Sequence, residues 1–192
     1  FFNDINSWED YVSKQDSLKI SKDKGNTFEL LTKVYFKISP QYSFYDDVWL
    51  LEETPEKILN EIGLHRQDLG IDLIAKSGNE YHAIQCKYLS DKHQKISYKK
   101  VSTFLNLIAN YDKIKMGYIC STANLTTKNY DKVPKKLTAK ILGDTWENLP
   151  LQFFENLRLF LKKKPLKLSV FKPRPHQKKA LKDAIKYFEN NK

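Results

Sequence analysis

The chain has 192 residues, 41% of them hydrophobic and 13% aromatic, which excludes a disordered segment and allows one sizeable core. Its formal net charge of +10 favours a polyanionic partner. No run approaches the ~18 apolar residues of a membrane helix, and the two cysteines, Cys86 and Cys120, each lie in an apolar stretch that suits a reduced cytoplasmic protein better than a disulfide scaffold.

Residues 1–22 are polar with scattered aromatics such as Trp8 and Tyr11, and predict one short helix. A firm helix is predicted from Asn26 to Ile38, where Phe28, Leu31, Val34, Tyr35 and Ile38 recur at three- and four-residue spacing and Pro40 follows. Phe44 to Leu51 alternates as a strand does. Thr54 is placed to cap a short helix with Pro55 at its first position and Gly63 beyond its end. Ile71–Lys76 and Tyr81–Tyr88 are β-rich, and the Gly78-Asn79 between them suits a two-residue hairpin turn that needs positive φ. Ser97 then starts a helix reaching about Tyr111, with Val101, Phe104, Leu105 and Ile108 on its apolar face. Lys115–Ser121 and Leu137–Leu142 are further strands, and Leu151–Leu161 is an apolar helix. The order predicts an α/β domain with a mixed sheet. No glutamate occurs between Tyr81 and Trp146, where lysine recurs. Solvated faces of a lysine-rich protein are the competing, less favoured explanation of that bias.

The hairpin carries the chemistry. If it closes between Ser77 and Glu80, Asp72 lies opposite Gln85 and shares its face. Lys87, two residues on, shares that face as well. Ile84 and Cys86 face the other way and suit a core. A carboxylate, an amide oxygen and an ammonium on one patch are what phosphodiester hydrolysis requires. A hard divalent cation takes oxygen ligands, here Asp72, Gln85 and the backbone carbonyl of Cys86. A lysine orients water or offsets developing charge. As spacing alone, Asp followed by Gln-x-Lys is weak, and an ordinary polar hairpin face explains it equally well.

Gly70-Ile71-Asp72-Leu73 followed by Ala83-Ile84-Gln85-Cys86-Lys87-Tyr88 resembles the Mrr-like branch of the PD-(D/E)xK nucleases. The resemblance includes Gly25-Asn26-Thr27-Phe28-Glu29, the helix around Phe104 and the strand ending Cys120-Ser121-Thr122, and covers roughly residues 24–145. It implies a restriction-endonuclease-like core, a mixed sheet flanked by helices, with Asp72, Gln85 and Lys87 at the catalytic positions. Mg²⁺ is the implied cofactor, with Mn²⁺ as a substitute. Glu29 matches a helix-borne acidic residue that helps the metal site; the alternative is an exposed first-turn glutamate favoured by the helix dipole. Asp68 is a further acidic candidate in the preceding loop. Glutamine in place of the acidic residue of the wider superfamily lowers the negative charge of the site.

Composition shifts after Lys162. Phe171-Lys172-Pro173-Arg174-Pro175-His176-Gln177 resembles the entry to a superfamily 2 helicase or translocase motor, in which the glutamine, here Gln177, contacts adenine. Residues 1–162 are therefore expected to form the nuclease domain and 163–192 a linker and the start of a motor. A capped helix after a linker is the competing explanation. No phosphate-binding glycine-lysine loop follows, so ATP would serve only a motor beyond this segment. With no initial methionine, the sequence is expected to be part of a longer protein, as in single-polypeptide Type I-like restriction-modification enzymes and nuclease–helicase fusions. The four histidines lack metal-site spacing with the cysteines. His82 reads as packed or half-exposed; for His65 and Arg66, which precede the catalytic strand, loop surface is the better reading and a phosphate contact the alternative. Lys92, Lys95, Lys99 and Lys100 flank the expected cleft and suit the backbone of double-stranded DNA. A single such site cuts one strand, so a double-strand break needs a second copy or a second encounter. The rival expectations are a non-cutting DNA-binding module and a domain that docks a motor to partners; neither requires the Asp72, Gln85, Lys87 triplet.

Overall fold

A computed structural model describes residues 1–66, 70–91, 93–128, 130, 138–167 and 175–190, without the side chains of 175–178, 181 and 188–190. The chain opens with α1 (Trp8–Asp16) and α2 (Ser21–Ile38). Ser7 caps α1, its Oγ accepting the Asp10 N–H at 3.1 Å. Phe2, Ile5, Trp8 and Tyr11 are all buried. Their spacing of three makes one apolar stripe, so the expected polar region with scattered aromatics is core. The second helix begins five residues before the expected Asn26 and ends where Pro40 starts a 3₁₀ turn, Pro40–Tyr42.

The central sheet has five strands. β1 (Asp47–Leu50) leads through α3 (Glu56–Ile62) to the hairpin of β2 (Leu73–Ser77) and β3 (Glu80–Lys87). Thr54 does not cap α3; its Oγ1 donates to the Leu50 carbonyl at 3.0 Å, and Pro55 takes the cap position instead. Gly63 ends that helix at φ +81°. After the short β4 (Lys95–Ile96), α4 (Tyr98–Asn110) crosses over to β5 (Ile114–Ser121). β6 (Leu125–Thr126), β7 (Thr138–Ile141), α5 (Gly143–Glu147), α6 (Leu151–Leu161) and α7 (Pro175–Asn190) complete the chain. The strand order is β1-β2-β3-β5-β7, antiparallel on the β1 side and parallel from β3 to β7. β4 and β6 pair separately, in parallel.

Each face of the sheet has its own core. Phe28, Leu31, Val34 and Phe36 of α2 pack with Leu73, Ile84, Cys86 and Tyr118, and are joined by Trp146 and Phe154. On the other face Leu59 and Ile62 of α3 and Val101, Phe104 and Ile108 of α4 cover Ile74, Ala83 and Ile119. The same register that alternates apolar residues between faces fixes both layers. Ile84 and Cys86 are buried in the first core, as the pattern predicts. The expected mixed sheet flanked by helices is present.

Because β3 and β5 are parallel, α4 must carry the chain back to the start of β5. Its first turn therefore lies at the end of the sheet where β3 finishes. Pairing β1 and β2 antiparallel brings the end of β1 and the start of β2 to that same end. Leu50, Asp72, Lys87 and the first turn of α4 are thus gathered at one end of the sheet.

Candidate active site

The hairpin register follows expectation from Ser77↔Glu80 to Leu73↔Ile84 and then breaks. A residue in a regular strand turns its N–H and C=O to the same neighbour. Asp72 divides them. Its N–H donates to the Ile84 carbonyl on β3 at 2.9 Å, while its carbonyl accepts the Leu51 N–H from beyond β1 at 2.8 Å. Asp72 is therefore displaced from the regular position opposite Gln85, an irregularity of the kind that re-aims a side chain at a strand end. The Asp72 carboxylate accepts the Cys86 N–H at 2.5 Å, a charge-assisted bond that fixes it beside the Gln85–Cys86 peptide.

Gln85 is 2% exposed. Its Nε2 donates to the Gly70 carbonyl at 2.8 Å. A carbonyl can only accept, so the amide nitrogen must face Gly70 and Oε1 must face away. That oxygen is buried and has no hydrogen-bond partner among the described residues. Gly70 has φ +96°, and a Cβ there would lie 2.9 Å from Gln85 Nε2. Only glycine allows the chain to pass so close to the amide. Lys87, at the end of β3, is half-buried, and among the described residues its ammonium makes no ion pair.

A cleft of about 430 Å³ opens at this end of the sheet, walled by Asp72 and Ile71, by Lys22, Asn26 and Glu29 of α2, by Leu50 to Glu52 and by Arg66. Gln85 and Lys87, on β3, are not in its wall. Glu29 lies in the third turn of α2 because that helix begins at Ser21, and it is half-buried. The exposed first-turn glutamate considered for it is thus ruled out. Arg66 is bound rather than idle. Its guanidinium donates to the carbonyls of Leu51, Glu52 and Thr54, and pairs with Glu56 at 3.1 Å. Sequence reasoning missed Lys22 and Asn26 as part of this cleft and preferred loop surface to a phosphate contact for Arg66. The signal for the first two was present: positions 22, 26 and 29 recur at helical spacing on one stripe.

Of the expected backbone-contacting lysines, Lys95 is exposed on β4 and Lys99 and Lys100 are exposed in the first turn of α4. Lys92 and Asp68 lie outside the described residues, and so does the side chain of Gln177. No acidic residue accompanies the lysines in that first turn. Cations there oppose the helix dipole, at a cost of about 0.3–1 kcal/mol each, so helix stability does not account for them.

The two cysteines are buried and free. Burial, then mutual repulsion with Cys120 and the nearby Asp72 charge, pushes the Cys86 thiol well up. Neither is a nucleophile at neutral pH. His82 is half-buried, its Nδ1 2.5 Å from the Tyr45 hydroxyl, as expected for a packed histidine. The donor chemistry suits a hard cation: the Asp72 and Glu29 carboxylates wall the cleft, and the Gln85 amide oxygen, outside that wall, has no hydrogen-bond partner among the described residues. Among the described residues no three His, Cys, Asp or Glu side chains converge on a metal-holding position. The amide oxygen, the Cys86 carbonyl and water would have to complete the shell, as Mg²⁺ commonly accepts.

The Mrr_cat_2 restriction endonuclease family model matches residues 37–154, well over half of the chain. The chain belongs to that restriction endonuclease family. The matched span holds Asp72, Gln85 and Lys87 and begins after Glu29. No curated protein matches the chain. Among solved structures, the fold is similar to the ATP-dependent Type ISP restriction-modification enzyme LlaBIII bound to DNA, with TM-score 0.60 and 24% identity over 97% of this chain. It also overlaps the MspJI restriction endonuclease in complex with a 27-mer oligonucleotide, with TM-score 0.49 and 16% identity over 88% of this chain. The chain spans 11% of the first protein's chain and 37% of the second's. Among the described residues no helix is long and apolar enough to cross a membrane.

Proposed function

We propose that the chain is a metal-dependent DNA endonuclease domain that hydrolyses phosphodiester bonds by direct attack of water, with Asp72, Gln85 and Lys87 at its centre. The observation that carries this reading is the Gln85 carbonyl oxygen, buried and without a hydrogen-bond partner among the described residues, one position before the Cys86 N–H that holds the Asp72 carboxylate. A desolvated acceptor without a donor costs about 1–3 kcal/mol. A bound cation removes that cost.

Asp72 supplies the charged ligand, and Gln85 Oε1 and the Cys86 carbonyl supply neutral ones. Glu29 adds a second carboxylate from α2. When bound, Mg²⁺, or Mn²⁺ in its place, polarises the phosphate and acidifies water. The Cys86 N–H keeps the Asp72 carboxylate oriented. The Lys87 ammonium holds the attacking water and offsets the charge that develops on the phosphate oxygens. Lys92, Lys95, Lys99 and Lys100 track the backbone of duplex DNA without reading its bases. One site cuts one strand, so a double-strand break takes a second copy or a second encounter.

Residues 1–162 then form the nuclease domain, and 163–192 a linker and the beginning of a superfamily 2 motor. Gln177 would meet adenine, and ATP would be used, only with the rest of that motor present. The likeness to an ATP-dependent enzyme of which this chain spans 11% supports such a setting, and a cytoplasmic location fits it.

The test is nicking of supercoiled plasmid with Mg²⁺ by the wild type, Asp72→Ala and Lys87→Ala. Both variants are expected to lose cleavage by several orders of magnitude while still binding DNA. Equal nicking by all three would sink the assignment.

A further inference from the structure

The cleft has two wall residues that the chemistry above does not use, Lys22 and Asn26. Lys22, Asn26 and Glu29 lie on one stripe of α2 and face the same cleft as Asp72. Lys22 and Asn26 are exposed, and among the described residues neither has an ion pair or a side-chain hydrogen bond. Three of the cleft's charged side chains are carboxylates: Glu29, Glu52 and Asp72. Its two cations are Lys22 and Arg66, and Arg66 is committed to three carbonyls and to Glu56. Lys22 is therefore the uncommitted positive charge in a cleft that would otherwise repel a polyanion. Its place in the first turn of α2 works against the helix dipole, so helix stability does not explain it either.

We propose that Lys22 and Asn26 form a phosphate subsite, which holds the backbone of the cut strand one nucleotide away from the phosphate at Asp72. The inference rests on the nuclease reading. Two turns of helix separate Lys22 from Glu29, about 10 Å along the axis. That is room for a neighbouring phosphate beside the one at the metal ligands. The Lys22 ammonium supplies charge, and the Asn26 amide donates a hydrogen bond that fixes the register of the strand. No base edge is read, so the subsite is indifferent to sequence.

Salt dependence separates this role from a structural one. Binding of a short duplex to the full chain would be followed by anisotropy in EDTA over a salt series. Loss of one phosphate contact lowers the slope of log K against log salt by about 0.9. Lys22→Ala is expected to lower it by that amount, and Lys22→Arg to keep it. Asn26→Ala should weaken binding several-fold at an unchanged slope, because it removes no charge. Lys115→Ala is the control, since Lys115 is exposed at the opposite end of β5; its slope should match the wild type. A wild-type slope for Lys22→Ala overturns the subsite. If Asp72→Ala has meanwhile lost nicking, the subsite alone fails; if Asp72→Ala still nicks, the nuclease reading falls and the subsite with it.

Discussion

At Gln85 a single amide has two duties that its chemistry keeps apart. The nitrogen closes onto the Gly70 carbonyl, and the oxygen is left desolvated with no partner among the described residues. A glutamate there cannot perform the first duty. Its carboxylate would sit against a carbonyl now 2.8 Å from a donor, two acceptors facing each other. Gln85→Glu is therefore expected to lose about 1–3 kcal/mol of stability without divalent ions. Mg²⁺ should restore part of it, because a cation between the introduced carboxylate and Asp72 relieves the repulsion. Thermal melts with and without Mg²⁺ check this. If Mg²⁺ raises the melting temperature of the variant no more than that of the wild type, position 85 is not a ligand. The same amide explains why Gly70 lies where it does: a side chain there would collide with Nε2.

Between elements, the coupling that pH can probe is the one from the segment before β1 to the hairpin. The Tyr45 hydroxyl meets His82 Nδ1, and the Tyr45 and Tyr118 rings flank the imidazole. Burial lowers the His82 pKa, against a smaller opposing pull from Glu80. The unfolded chain thus takes up a proton that the folded chain resists. Stability should be level above about pH 6.5, the ordinary histidine value, and fall as pH drops below it. His82→Phe should flatten that part of the profile, measured by urea unfolding across pH; an unchanged acid slope would show that His82 is not its source. The elements were unequally legible beforehand. The hairpin could be read to its register because period-two alternation and a Gly-Asn turn act locally, and Gly78 does adopt φ +57°. The stripe of Phe2, Ile5, Trp8 and Tyr11 was obscured by polar neighbours and shows its purpose only where Trp8 stacks near Trp146 at 6.4 Å. The five-residue α5 has too little sequence to declare itself, although it buries Trp146 and points its indole N–H at the Ser121 carbonyl at 2.8 Å. The displacement of Asp72 depends on bonds to Leu51 and Ile84, and the cleft wall on segments far apart in sequence. Neither is written in local spacing.

For the molecule as a whole, the segment that follows the proposed boundary at Lys162 is anchored. Asn156 clasps the main chain of Lys167, its Oδ1 accepting the N–H at 2.8 Å and its Nδ2 donating to the carbonyl at 3.0 Å. The Lys167 ammonium pairs with Glu155 at 2.9 Å. Beyond it, the described side chains of α7 are exposed, including Ile185 at 50% and Tyr187 at 63%. A chain ended at Lys167 is expected to melt within about 2 °C of the longer one, no more than about 1 kcal/mol for a body of this size. A larger drop in a calorimetric scan would mean that the tail is part of the core. The clasp on Lys167 also gives the molecule a mechanical axis. Tension applied to the chain beyond it would be borne first by the contacts of Lys167 with Gln152, Glu155 and Asn156 and then by α6, which is rooted through Phe153, Phe154 and Leu157 in the core it shares with α2. The first half of α2 carries Lys22, Asn26 and Glu29 into the cleft. A tug on the tail is therefore delivered, through two rigid helices, to the wall that faces Asp72.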